Sequence, residues 1–205
     1  MVKQIKPRKT RLESQQETRQ NLLEAARMLF TELGYEATSI RGICDKAGYS
    51  QGAFYSNFND KDEVILVLLE QYKSFEANSR KQLIDDAGGN FEKALNDMIL
   101  WFERNDHNMS HTILFLEMQL HALRHPEFVK IYNNLMDEQK SFYTKLVQHL
   151  FAMRNIEPPF DCSIVAEGLM ALGANEAIAR RLNPKREKQN PFSAYLKLIF
   201  RIEEK

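Results

Sequence analysis

The side chains best placed to do chemistry in this chain lie between residues 38 and 61, which read TSIRGICDKAGYSQGAFYSNFNDK. Tyr55, Ser56 and Asn57 put hydrogen-bonding groups on a short segment whose apolar residues, Ala53, Phe54 and Phe58, keep helical spacing. Ser50, Gln51, Ser39 and Arg41 add donors and acceptors close by. Such a set suits recognition by hydrogen bonding rather than making or breaking bonds. No nucleophile motif, phosphate-binding loop or G-x-G-x-x-G run accompanies it, and Gly88-Gly89 lacks the strand context a phosphate loop needs. His107/His111 and His121/His125 are each spaced i, i+4, but no clear third ligand joins them, so neither a metal nor a cofactor is expected. The expectation is a binding protein and not an enzyme.

These groups need two short helices to hold them. Ile40, Ile43, Cys44 and Ala47 follow helical spacing up to a break at Gly48-Tyr49-Ser50. Helix, Gly-containing turn, helix is the helix-turn-helix arrangement, and its second helix can lie in the DNA major groove. Gly48 can take the positive φ that ends the first helix. Ser50 is placed to cap the second. Gly52 leaves no side chain where a backbone could come close to something else. Of the group, Gln51, Ala53 and Ser56 are expected to face base edges.

On these residues the block resembles the DNA-binding domain of the tetracycline-repressor (TetR/AcrR) family of bacterial transcription regulators. The family pattern runs roughly T-x-x-x-I-A-x-x-A-G-V-S-x-G-x-x-Y-x-Y/H-F-x-x-K. The chain matches at Thr38, Ile43, Ala47, Gly48, Ser50, Gly52, Tyr55, Phe58 and Lys61. The preceding stretch, with Ala25, Ala26, Phe30 and Gly34-Tyr35, resembles the family's first helix. The close match covers about residues 18 to 69. Departures are Gly42, Cys44 where Ala is usual, Tyr49 for Val, and Asn57 for Tyr or His. The resemblance implies phosphate contacts from Thr38, Tyr55 and Lys61. It also implies an all-α fold of about nine helices, a two-fold dimer on a pseudo-palindromic operator, and a ligand pocket in the C-terminal helices.

Composition agrees with a soluble globular chain. There are 28 basic and 28 acidic residues in 205, with 43% hydrophobic content. The balance is uneven, since residues 1–61 carry 10 Lys/Arg against 7 Asp/Glu. Lys3, Lys6, Arg8, Lys9 and Arg11 concentrate that excess in a Pro-containing tail, expected to be disordered when free. Such a tail suits phosphate neutralisation or a minor groove. Two cysteines far apart, Cys44 and Cys162, fit a reducing cytoplasm rather than a disulfide framework. No apolar run nears the ~20 residues that span a bilayer, and no leader core follows the basic start, so no membrane partner is expected.

Helical spacing recurs along the whole chain. Ser14-x-x-Glu17 is a capping-box signature for the first helix, and Thr38 is placed to cap the next. Asn59 or Asp60 should start a long helix running from about 60 to 83. Further helices fit 91–105, 109–124, 126–153, 161–182 and 191–203. The reading divides the chain into a basic flexible arm (1–13), a helix-turn-helix domain (14–61) and a ligand-binding and dimerisation domain (62–205), the long helix joining the last two.

Two stripes complete the expectations. Ile164, Gly168, Ala171, Asn175, Ile178 and Leu182 alternate spacings of four and three, a heptad-like seam with small residues that lets another helix approach. Phe192, Tyr195 and Ile199 share a face of the last helix, and together these form the expected homodimer interface. Trp101, Phe102, Phe115, Met118, His121, Tyr132 and Met136 are the residues expected to line a pocket for a small apolar or amphipathic ligand. The reading is therefore a ligand-responsive repressor. The alternative is a DNA-binding regulator controlled by a partner protein or by no ligand.

Overall fold

The computed structural model of the chain describes residues 10–104, 109–183 and 191–202. Among them are nine α-helices and no strand: α1 (Arg11–Leu33), α2 (Ile40–Ala47), α3 (Gln51–Tyr55), α4 (Lys61–Asp86), α5 (Phe91–Arg104), α6 (Met109–Arg124), α7 (Pro126–Arg154), α8 (Cys162–Leu182) and α9 (Pro191–Ile199). They form two compact units. One holds the described residues up to Glu70 together with Ile113–His121; the other holds Gln71–Thr112 and the residues from Ala122 onward. Residues of α4 and α6 fall in both. The first unit thus runs past residue 61, the expected domain end, and takes in a piece of α6 that the sequence did not assign to it.

Local chemistry sets the ends of the first three helices. α1 opens one turn earlier than expected. Thr10 and Glu13 form the reciprocal capping box, Glu13 N–H donating to Thr10 Oγ1 at 3.2 Å and Thr10 N–H to the Glu13 carboxylate at 2.7 Å. Ser14 lies inside the helix, its N–H on the Thr10 carbonyl. Arg11 to Glu13 are therefore helix and not arm; Lys3, Lys6, Arg8 and Lys9 lie outside the described residues. Gly34, at φ 85°, ends α1. Ser39 rather than Thr38 caps α2, accepting from Gly42 N–H at 3.0 Å, because the Thr38 hydroxyl is turned onto the Gly34 carbonyl at 2.8 Å. Gly48 ends α2 in the left-handed region at φ 76°, ψ 30°, and Ser50 caps α3 by accepting from Ala53 N–H at 3.2 Å.

The apolar faces of these elements fill the core of the first unit. Leu22, Ala26 and Phe30 of α1 are fully buried, as are Ile43 of α2, Phe54 of α3, and Val64 and Ile65 of α4. Each of the Leu, Ile, Val and Phe side chains among them contributes about 1.5–3 kcal/mol when fully buried. The Phe54 ring of α3 packs on Phe58 with centroids 5.6 Å apart, and Phe30 and Tyr35 at the end of α1 lie 5.2 Å apart.

The second unit has its own core, from Ala87, Phe91, Ala94 and Leu95 through Val147, Leu150 and Phe151 to Val165, Leu169, Leu196 and Phe200. The Phe200 ring lies 5.2 Å from Phe91 and 4.7 Å from Phe151. α9 stops at Ile199 rather than near 203, where Arg201 takes a positive φ of 53°. By length and composition alone, Cys162–Arg180 of α8 is long and apolar enough to cross a membrane. It nonetheless carries Glu176, buried and paired with Arg180 at 3.0 Å.

Candidate nucleic-acid interface

The α2–turn–α3 geometry decides which side chains are on offer. α3 has five residues, and Phe54 alone among them is buried. Its burial turns Gln51, Gly52 and Tyr55 outward, with Tyr55 57% exposed despite its size. Ser56 follows, exposed, with its hydroxyl donating to the Gly52 carbonyl at 2.8 Å. Ala53 is half-buried. Ser39, Arg41 and Ser50 are exposed; Arg41 sits 3.7 Å from Asp45 across one helical turn, a pairing too exposed to hold it. An exposed large aromatic, an amide, two hydroxyls and a bare glycine thus share one short helix and its cap, a surface suited to polar recognition.

Three of the expected contact residues are placed differently. Thr38 is 2% exposed and its hydroxyl points inward, so its side chain is not presented on the surface. Asn57 is half-buried, its amide donating to the Ala53 carbonyl at 2.8 Å, which closes the end of α3 instead of facing out. Lys61 donates to the carbonyls of Tyr35 and Thr38 at 2.7 and 2.9 Å and lies 4.1 Å over the Tyr35 ring. Burial pulls the Lys61 ammonium below the usual lysine range, partly offset by Glu36 and Asp62. In this structure Lys61 is a structural clamp on the turn before α2.

Other residues support the same site and were not legible in the sequence. Arg19 of α1 lies 4.1 Å over the Phe58 ring, donates to the Asn57 carbonyl and is 3.6 Å from Glu63, so it ties the end of α3 to α1 and α4. Asn21 donates to the Tyr49 hydroxyl at 3.0 Å, holding the turn residue that departs from the family pattern. Burial raises the Tyr35 phenol, and its hydrogen bond to Asp62 raises it further.

The residues expected to line a pocket are divided between the units. Phe115, Met118 and His121 belong to the helix-turn-helix unit. Met118 is fully buried there; His121 is 8% exposed, its ring 4.5 Å from Tyr35 and its Nδ1 3.0 Å from the Glu36 carboxylate. His121 is thus engaged with the turn after α1. Tyr132 and Met136 are half-buried in the other unit, and the side chains of Trp101 and Phe102 lie outside the described residues.

The dimer stripe is also sorted by burial. On α8, Val165, Ala166 and Leu169 face the core, leaving Ile164 58% exposed, Ala171 and Asn175 exposed, and Ile178 half-buried. At Gly168 the missing side chain leaves room for Tyr195 of α9, since a Cβ there would lie 2.9 Å from the Tyr195 hydroxyl. On α9, Phe192 and Ile199 are used inside their own core and are not on a free surface; Tyr195 is half-buried.

Known proteins share both the motif and the architecture. The sequence profile described as bacterial regulatory proteins, tetR family, matches residues 22–68. The HTH-type transcriptional repressor KstR2 of Mycolicibacterium smegmatis is 26% identical over 149 residues, 72% of this chain and 71% of that protein. The chain spans 65% of the Mycobacterium tuberculosis protein of the same name, at 25% identity over 63% of this chain. Among solved structures, a transcriptional regulator from Pseudomonas aeruginosa PAO1 aligns at TM-score 0.73 over 93% of both chains, with 19% identity. The SmeT–triclosan complex aligns at TM-score 0.67 over 90% of this chain and 88% of that one, with 18% identity. At these identities the structural likeness speaks for the fold.

Proposed function

The chain belongs to the TetR family of helix-turn-helix transcriptional regulators, and from that premise we propose that it is a homodimeric, ligand-responsive repressor reading a pseudo-palindromic DNA operator. One observation carries the reading. α3 is capped by Ser50, anchored by buried Phe54, and turned so that Gln51, Gly52, Tyr55 and Ser56 are exposed together. Base edges are read by Gln51 and Ser56, with Gly52 permitting close approach; Tyr55 and Ser39 serve the phosphates. Phosphate contacts position such a domain and base contacts specify its site.

A two-fold dimer supplies the second recognition helix, with half-sites about 34–36 Å apart or a multiple of that. The exposed outer stripe of α8, Ile164 with Ala171 and Asn175, supports the dimer. Ligand response is supported by the aromatic and Met content of α5 to α7 and by the similar SmeT, which is solved with triclosan. The ligand class for this chain is small and apolar or amphipathic. A ligand releases DNA only to the extent that it prefers the non-binding conformation, and operator must weaken ligand binding by the same factor. The test is gel-shift selection on random duplexes. Recovery of a pseudo-palindrome is the expected result, and enrichment of no sequence contradicts the reading.

A further inference from the structure

The turn between α1 and α2 is held from 82 residues away. After Gly34 ends α1, the Tyr35 N–H has left the helix ladder, and it donates to Glu117 Oε2 of α6 at 2.7 Å. A hydrogen bond to an ionised acceptor is roughly twice as strong as a neutral one. Glu117 comes this close because residue 34 has no side chain: a Cβ there would lie 3.3 and 3.4 Å from the two carboxylate oxygens. The same turn is gripped at neighbouring atoms. Lys61 binds the carbonyls of Tyr35 and Thr38, and the Tyr35 hydroxyl donates to Asp62. His121, one turn beyond Glu117, bonds Glu36 through Nδ1 and has Nε2 3.5 Å from Asp62. Thr38, at the far side of the turn, leads straight into Ser39, the cap of α2.

We propose that Glu117 is a positioning residue for operator binding: from α6 it fixes the α1–α2 turn, and so the entry of the helix-turn-helix. The proposal rests on the regulator reading and names how that site is set. Phe115 and Met118, two of the expected ligand residues, flank Glu117 on the same segment of α6. A shift of that segment reaches the turn before α2 through the Glu117 hydrogen bond to Tyr35 N–H, with the His121 contacts to Glu36 and Tyr35 beside it.

The experiment compares full-length wild type, Glu117→Gln and Glu117→Ala by amide hydrogen exchange and by affinity for the selected duplex. Gln keeps an acceptor oxygen for Tyr35 N–H; Ala removes it. The Tyr35 amide is expected to exchange at least about tenfold faster in Glu117→Ala and within about threefold of wild type in Glu117→Gln, because local opening sets its exchange. Operator affinity should follow the same order while the amides of α3 keep their protection. Should Glu117→Ala not fold, Glu117→Asp, a methylene too short, is expected to behave as the Ala variant was to. Unchanged Tyr35 exchange in the disrupting variant overturns the proposal, as does faster exchange with unchanged operator affinity. A wild type with no preferred duplex overturns the regulator reading by itself, before any variant is compared, and with it the operator half of this proposal.

Discussion

Gly52→Ala should make the protein more stable and worse at its work. Gly52 is helical, and the nearest atom to an added Cβ is the Ser50 hydroxyl at 3.7 Å, ordinary contact distance. No strain offsets the propensity gain. Replacing a helical Gly by Ala gains about 0.5–1 kcal/mol, and the first-turn position puts the gain at the low end. For a chain of this length that is a rise of about 1–4 °C in Tm. The new methyl lies on the exposed side of α3, beside Gln51 and Tyr55. If the backbone of α3 approaches DNA there, the methyl must push the helix outward, and a loss of about tenfold in operator affinity costs only about 1.4 kcal/mol. Thermal melts and fluorescence anisotropy on the selected duplex read the two effects separately. Gly48→Ala is the contrast: with φ at 76° and open space around the Cβ, it should lose about 1–2 kcal/mol of stability from backbone conformation alone. Higher stability with unchanged operator affinity in Gly52→Ala would refute the placement of α3 against DNA. A fall in stability would refute the local packing argument.

Gln51→Ala should change preference at one base position by about 1–3 kcal/mol if its contact is bidentate, which a panel of single-base operator variants measures. Lys61→Met should cost about 1–3 kcal/mol through loss of its bonds to two carbonyls. Because burial holds the Lys61 pKa below its unfolded value, the unfolded chain binds more protons between the two values, so this group favours folding more as pH rises through that alkaline window. Urea titrations should show that increment in wild type and not in Lys61→Met. Ala171→Glu places a charge on an exposed position of α8, so stability should stay within about 0.5 kcal/mol while light scattering shows a monomer. A dimer of unchanged mass would remove α8 from the interface.

The helix-turn-helix was legible because its signals are local. Gly48, Ser50 and the spacing of Ile43, Phe54 and Phe58 each act within a few residues, and all took the expected geometry. The start of α1 was not, since Thr10-x-x-Glu13 and Ser14-x-x-Glu17 carry the same capping spacing one turn apart. Sequence could not choose between them; the structure keeps both reciprocal bonds at the first. Thr38 and Ser39 posed the same ambiguity, decided by the Thr38 hydroxyl finding the Gly34 carbonyl. The contacts of Glu117 and His121 join residues 82 and 85 positions apart, and no periodic pattern reports such a pairing. The α9 stripe misled for a related reason. Phe192 and Ile199 share an apolar face, but one face cannot say whether it meets its own core or a second copy.

Operator recognition in this form requires two copies of α3 on one duplex. Hydroxyl-radical footprinting of the selected operator measures that. The predicted result is two symmetric protected patches, about 34–36 Å or a multiple apart along the axis, both lost when Gln51, Tyr55 and Ser56 are replaced by Ala together. A single patch, or protection indifferent to those three side chains, would contradict it.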